Sequence, residues 1–343
     1  MKNLLFLLSL LVTTFAWADQ KVGVILPLTG DFGYFGQDFK QGFLVGLDKL
    51  KAEGHKVPEI LFEDDQCLAK SAVSAFTKLT KISKVSLIIG PACSASIKSI
   101  SPIAQRMKVP VMFVLDAGPY VMELPDPLYS FGFNPVKMAE LLAEDLIKDK
   151  HRKVSVISED EEYAILIAEA FENYIKMHDG EIISHELIPV NTADMQSVLT
   201  KTLRQKPDVI FYSSAYQAGT FLKKLRTFNK VVPVYGNDTM CVADTIDVAK
   251  TSSDNAVCGN VFLDEINPIV QKFIEDYKTA TGKIPTSLFY PALGFDSAYI
   301  MMKELGVDIQ SKPILGTNNK NELGVYDIPA EVLKIIDGKI VKK

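Results

Sequence analysis

Val85-Ser86-Leu87-Ile88-Ile89-Gly90-Pro91-Ala92-Cys93-Ser94-Ala95-Ser96 reads as a buried strand, a tight turn and the start of a helix. The apolar run Val85 to Ile89 is short and closed by Gly-Pro, as a strand of a parallel sheet is. Small hydroxyl residues and a helical pattern follow it. Such a junction makes a cup of free backbone N–H groups that suits an anionic ligand group. A second cysteine, Cys67, follows Glu63-Asp64-Asp65-Gln66 and the apolar run Ile60 to Phe62, so it too lies just past a strand. A disulfide between the two loops would stiffen the cup. Closing a loop of about 26 residues is worth roughly 3–4 kcal/mol in the chain-entropy model.

Outward from this stretch, apolar runs alternate with helical patterns in both directions. Before it come strand 22–28, helix 36–51, strand 60–62 and helix 69–82; after it come helix 95–106 and strand 110–115. The alternation restarts after Asn134-Pro135 with helix 136–149, strand 153–157, helix 161–178, strand 181–188 and helix 195–204. Strand 208–212, helix 216–228 and strand 231–235 complete the second series. Runs of βα units mean parallel sheets covered by helices on both faces. Two series with a break near residue 134 predict an α/β protein of two similar Rossmann-like lobes. Ligands of such sheets sit beyond the carboxyl ends of the strands, so the loops after strands are where function is expected.

The N-terminus supplies the compartment that a disulfide needs. Met1-Lys2-Asn3 is a short basic start, Leu4 to Phe15 is apolar, and Ala16-Trp17-Ala18 places small residues before Asp19. That pattern is a cleavable secretory signal over 1–18, too short to span a bilayer. Cys67, Cys93, Cys241 and Cys258 all lie beyond it. Their even number suits two disulfides, the alternative being four unpaired buried thiols. Exported, soluble protein is the expectation. The 343 residues less these 18 leave a chain too long for one ordinary core and suited to two lobes. Hydrophobic content of 48% and charged content of 23% are those of a globular protein. The net charge of −5 and the lack of a basic patch exclude nucleic acid as a partner.

Chemistry-bearing motifs are sparse. Leu28-Thr29-Gly30-Asp31-Phe32-Gly33-Tyr34-Phe35-Gly36 follows the first strand with glycines spaced G-x-x-G-x-x-G, not in the dinucleotide fingerprint. The glycines are expected to allow a turn close to a ligand, with Tyr34 and Phe35 walling the pocket. His55, His151, His178 and His185 are scattered without metal spacing. No G-x-S-x-G elbow or G-K-[ST] phosphate loop occurs, and Gly282-Lys283-Ile284 lacks the hydroxyl. The acidic clusters Glu63-Asp64-Asp65 and Glu159-Asp160-Glu161-Glu162 are the only paired-carboxylate candidates. The second reads better as a helix start capped by Ser158. A non-enzyme without metal or cofactor is expected.

At this point the landmarks fall into a pattern. Val24-Ile25-Leu26-Pro27-Leu28-Thr29-Gly30 with Phe35-Gly36, then Asp64-Asp65-Gln66-Cys67 and Ile89-Gly90-Pro91-Ala92-Cys93-Ser94, come first. Val109-Pro110-Val111, Phe131-Gly132-Phe133-Asn134, Tyr163, Tyr216 and Val234-Tyr235-Gly236 follow in order. Taken together, the chain resembles the substrate-binding proteins of ABC importers for branched-chain amino acids, the type I periplasmic binding proteins, over its mature length. The resemblance implies two lobes joined by three crossing strands, a ligand trapped as they close, and delivery to a membrane permease with separate ATPase subunits. It places 19–133 and 263–316 in the first lobe and 134–262 and 317–343 in the second. There Ile335-Ile336-Asp337-Gly338-Lys339-Ile340 reads as a hairpin with a D-G turn.

The resemblance also assigns roles. Ser94 matches the hydroxyl that holds a ligand carboxylate, Tyr163 and Tyr216 match second-lobe aromatics, and Asp238 matches the acid that pairs with a ligand ammonium. The chain departs from the family after its fourth strand. Val114-Leu115-Asp116-Ala117-Gly118-Pro119 replaces a Pro-Ser-Ala-Thr type of loop, so a hydroxyl is lost and an acid gained. A bound carboxylate would be repelled by an unpaired Asp116. Either Asp116 points away and the Ala117 N–H serves, or the ligand is a neutral or cationic solute such as an amide or a polyamine-like compound. Cys67 is expected to pair with Cys93 and Cys241 with Cys258. A sensor subunit presenting a solute to a membrane receptor is the alternative function. The export signal and the missing helix-turn-helix exclude a transcription regulator of related fold.

Overall fold

A computed structural model describes residues 20–116, 127–190, 192, 194–285, 287–310, 312–317, 319–322 and 324–343. The expected leader over 1–18, Ala117 and the side chain of Asp116 lie outside what is described. Among the described residues, no helix is long and apolar enough to cross a membrane.

The first sheet is built from β1 (Lys21–Leu26), β2 (Glu59–Asp64), β3 (Leu87–Ile89), β4 (Val111–Asp116), β5 (Leu128–Phe133) and β11 (Val325–Asp327). Its order is β2-β1-β3-β4-β5-β11, and each neighbouring pair is parallel. The second sheet takes β6 (Lys153–Glu159), β7 (Glu181–Ile188), β8 (Val209–Ser213), β9 (Val234–Gly236) and β10 (Val257–Asn260) in the order β7-β6-β8-β9-β10. The antiparallel strands β12 (Glu331–Ile336) and β13 (Lys339–Lys342) extend it, with Asp337-Gly338 at the turn. The two sheets thus repeat one strand order. In each, the order reverses between the first strand and its neighbour on the other side, at β1/β3 and at β6/β8. Loops diverge at such a point and leave a crevice beyond the strand ends.

Helices complete each layer: α1 (Gly33–Ala52), α2 (Ala69–Thr77) and α3 (Ser94–Met107) belong to the first series of βα units. The second series has α4 (Pro135–Lys148), α5 (Glu162–Met177), α6 (Gln196–Arg204), α7 (Ala218–Phe228) and α8 (Ala243–Ala249). The chain then returns, and α9 (Pro268–Thr281) and α10 (Phe289–Glu304) pack beside α1. Glycine permits the closest of these contacts. A Cβ on Gly42 would overlap the Pro291 carbonyl oxygen, and one on Gly294 would overlap that of Phe39. Backbone therefore lies directly on backbone between α1 and α10. Helices bury both faces of the central strands, which are therefore mostly apolar; every residue of β5 is buried.

Three connections join the sheets: Phe133 to Pro135, Asn260 to Pro268, and Asp327 to Glu331. Lys137 on α4 pairs with Asp327 on β11 at 3.0 Å, bracing the first against the third. One assignment needs correcting. The segment 317–343 was read as wholly second-lobe, yet Val325–Asp327 adds a parallel edge strand to β5 of the first sheet before the hairpin joins the second. A three-residue strand carries too little pattern to declare its sheet. A second correction concerns the helix start at Glu159-Asp160-Glu161-Glu162. The cap of α5 is Glu161, whose carboxylate accepts from the N–H of Tyr163 at 2.9 Å and of Ala164 at 3.3 Å. Ser158 still belongs to β6, and its hydroxyl meets His185 Nε2 at 2.7 Å.

Candidate ligand-binding site

The crevices of the two sheets face each other and enclose a cavity of about 150 Å³. From the first lobe come Phe32, Tyr34 and Phe35 after β1, Cys67 after β2, Ala92, Cys93, Ser94 and Ala95 after β3, and Leu115 near the end of β4. Glu161 and Tyr163 after β6, Ala215 and Tyr216 after β8, and Asp238 and Thr239 after β9 come from the second. Phe133, Pro135 and Tyr290 close it along the hinge side. A space of this size takes a body about as large as benzene.

The first-lobe wall is a helix end held by sulfur. Ser94 opens α3, and the helix start turns its first N–H groups and positive dipole end toward the cavity. Cys93, the residue before it, is bonded to Cys67, with Cα atoms 5.4 Å apart. The neighbouring acids are structural. Asp64 accepts from the N–H of Leu28 at 2.8 Å, from the N–H of Gln66 at 3.0 Å and from the Thr29 hydroxyl. Burial raises the Asp64 carboxyl, but these hydrogen bonds outweigh it and hold the group below its ordinary range. They tie the loop after β1 to the loop after β2. Asp65 faces Ser96 and the Cys67 N–H, and burial pushes it up.

The loop after β1 supplies rings rather than bare backbone. Its glycines were expected to let the chain approach a ligand; none of Gly30, Gly33 and Gly36 lines the cavity. Gly36 instead allows α1 to pass the Pro27 carbonyl, which any Cβ would overlap. Gly30 sits at φ 81°, where the chain turns and its carbonyl accepts from the Gly33 N–H at 3.1 Å. Phe35 stacks on Tyr290 with centroids 5.5 Å apart. Tyr34 shares a side-chain hydrogen bond with Tyr290, and burial pushes its phenol up to about 12.

The second-lobe wall is acidic and rests on a buried carboxylate. Asp238 Oδ1 accepts from the Tyr163 hydroxyl at 2.8 Å and from Asn237 Nδ2 at 3.1 Å. Burial raises the Asp238 carboxyl to about 6 although these donors pull it down. Glu161 is raised too, chiefly by burial, with the Glu159 charge adding to it. Behind them, fully buried Glu159 at the end of β6 gathers the loop after β8. Its Oε1 accepts from the Tyr212 hydroxyl at 2.8 Å, the Ser214 hydroxyl at 2.8 Å and the Gln217 N–H at 3.1 Å. Its Oε2 accepts from the N–H groups of Ala215 and Tyr216, both at 3.0 Å. Asn237 closes the network, exchanging two bonds with the Ser214 backbone at 3.0 and 2.8 Å. A second disulfide, Cys241–Cys258, pins the turn carrying Asp238 to β10, its Cα atoms 6.0 Å apart.

Among the described residues, side chains meet across the cleft at two places at least. The Phe32 and Tyr216 rings lie 4.8 Å apart, and Lys98 on α3 pairs with Glu162 on α5. The structure thus brings six sequence-selected residues, Tyr34, Phe35, Ser94, Tyr163, Tyr216 and Asp238, to one cavity. Of the other two, Ala117 is outside the described residues, and Asp116 is placed only by its backbone, paired with Phe133. Sequence reading missed Phe32, Phe133, Glu161, Thr239 and Tyr290 as lining residues. Glu161 carried a signal, since it follows the first strand of the second series. Tyr290 carried none, because its cavity partners Tyr34 and Phe35 are hundreds of residues distant in sequence.

Chemically the cavity is two-poled. A helix start with Ser94 faces two acids across aromatic walls, and no Lys, Arg or His is among the described lining residues. A zwitterion with an apolar or aromatic body matches that distribution.

Comparison with known proteins agrees with the geometry. A family described as "Periplasmic binding protein" matches residues 19–305. The chain is 23% identical to "Leu/Ile/Val-binding protein homolog 3" of Brucella melitensis, covering 95% of this chain and 94% of that one. Among solved structures, the branched-chain amino acid transporter substrate binding protein LivJ of Streptococcus pneumoniae, in complex with isoleucine, superposes with a TM-score of 0.80. It has 20% identity and covers 95% of this chain and 100% of that one. A solute-binding protein of R. palustris in complex with 4-hydroxybenzoate gives a TM-score of 0.82 at 17% identity, covering 95% of each chain. Two α/β lobes with mostly parallel sheets are thus the architecture of type I periplasmic binding proteins. With its match running through both lobes, the chain belongs to the periplasmic binding protein family.

Proposed function

We propose that this protein is the solute-binding subunit of an ABC importer, exported to the periplasm, where it traps an amino acid between its lobes and hands it to the permease. The observation that carries the reading is the pairing of opposite poles across one cavity, with the α3 start and Ser94 on one lobe and Asp238 with Tyr163 on the other. A ligand carboxylate would take the helix start and the Ser94 hydroxyl. Its ammonium would take Asp238 and Glu161, and the rings would hold the side chain. Because the poles sit on different lobes, ligand stabilises the closed arrangement by its greater affinity for it. We assign 19–133 and 263–316 to the first lobe, together with Val325–Asp327, and 134–262 with the terminal hairpin to the second. The leader would be removed after Ala18.

An aromatic carboxylate is the competing ligand, since a structural neighbour holds 4-hydroxybenzoate. The acids speak against it, because Asp238 and Glu161 would face a ligand that offers no cation. A thermal-shift screen of amino acids, amides and aromatic acids on the mature protein, followed by calorimetry, separates the two. Amino acids should bind, and both Ser94→Ala and Asp238→Asn should weaken them clearly. Binding of benzoates alone, or parent-like affinity in both variants, would overturn the site.

A further inference from the structure

Beside the amino-acid cavity the cleft holds a second chamber, of about 170 Å³. Phe32, Tyr34, Tyr216 and Tyr290 line both spaces, so the rings form a waist between them. Beyond the waist the lining changes character. Asp31 comes from the loop after β1, Thr220 from α7, and Asp244 and Thr245 from α8. No Lys, Arg or His is among the described residues of this lining.

Acids predominate around the chamber. Asp38 on α1 is raised first by burial and then by the Asp244 charge, while Lys283 opposes the rise. Tyr34 at the waist responds to Asp238, Asp244 and Asp38 together. A solute end entering here meets acids from both lobes after passing between aromatic faces. Methylene groups suit the rings, and a terminal cation suits both the acids and the ring faces.

We propose that the second chamber receives the distal ammonium or guanidinium of an extended ligand whose amino-acid head sits in the first cavity, so that the preferred ligand is a basic amino acid. The inference rests on the reading of the first cavity given above. Head and tail would then be held at opposite ends of the cleft, with the stem passing between Tyr34 and the touching Phe32–Tyr216 pair.

L-lysine and L-norleucine test it, because they share a straight four-carbon side chain and differ in the terminal ammonium. Calorimetry on the mature chain should find lysine bound at least tenfold more tightly than norleucine, with the ratio shrinking as salt is raised. Asp244→Asn should lower lysine affinity at least fivefold more than norleucine affinity, and Asp31→Asn should act in the same direction. Norleucine binding as tightly as lysine, or Asp244→Asn weakening both equally, overturns the inference while leaving the amino-acid cavity intact. If neither binds, the head-group reading falls and takes this inference with it. Cadaverine, which keeps the tail cation and lacks the carboxylate, should bind far more weakly than lysine; equal binding would refute the two-ended placement.

Discussion

Glu159 offers the sharpest test of how the second-lobe wall is built, and it needs no knowledge of the ligand. Its carboxylate is fully buried and accepts five hydrogen bonds, three on Oε1 and two on Oε2. In Glu159→Gln the amide oxygen can take the Oε2 place and keep the N–H groups of Ala215 and Tyr216. The amide nitrogen then faces Tyr212 and Ser214, whose hydroxyls can turn to accept. Gln217 N–H retains the Ser214 oxygen at 3.1 Å. Only the charge assistance is lost, about 1.5–3 kcal/mol in all. Glu159→Ala has no such escape. It strands the fully buried Tyr212 hydroxyl and the part-buried N–H groups of Ala215 and Tyr216, at about 1–3 kcal/mol each. Roughly 3–9 kcal/mol should be lost, or on the order of 10 °C or more in Tm for a lobe of this size. Urea and thermal unfolding of the parent and both variants measure this. Ligand affinity should fall with the same ranking, since the loop that Glu159 gathers carries Tyr216. An alanine variant within about 1 kcal/mol of the parent would refute the account of that loop, as would a glutamine variant less stable than the alanine one.

Other outcomes follow from the same physics. Asp238 must be ionised to pair with an ammonium, so with its carboxyl near 6 amino-acid affinity should fall about tenfold from pH 7 to pH 5 and level off above pH 7. Calorimetry over that range reads it, and the Asp238→Asn variant should lose most of the slope; a flat parent profile would remove Asp238 from the site. Unreduced peptide maps should contain both Cys67–Cys93 and Cys241–Cys258. Each bridge is worth about 3–4 kcal/mol in the chain-entropy model, so two or more free thiols in fresh protein would be incompatible with both. Gly42→Ala and Gly294→Ala each put a methyl group into facing backbone between α1 and α10, and should destabilise the first lobe by at least about 2 kcal/mol. Parent-like melting of both would mean that the helices do not meet as described.

Local patterning was enough to declare the layers. Leu87 to Ile89 is apolar throughout because helices cover both faces of β3, and alternation of such runs with helical spacing points to parallel sheets. The repeat of that alternation declared two lobes, and the rule that parallel sheets bind beyond their strand ends pointed to the loops after strands, where the family resemblance then singled out Ser94, Tyr163, Tyr216 and Asp238. The tertiary structure decided what depends on distance along the chain. Whether Val325–Asp327 joins the first sheet or the second is set by which edge is free, not by its three residues. Glu159 looked like one acid among four at a helix start; only the arrival of the Ser214–Gln217 loop makes it the anchor of that wall. Tyr290 enters the cavity because α10 lies on α1 through Gly42 and Gly294, a contact no periodicity announces. The sequence determined which strands and helices form, since that rests on burial repeated every few residues. Which side chains share a cavity is decided by how two separate sheets meet, and only the folded chain holds that information.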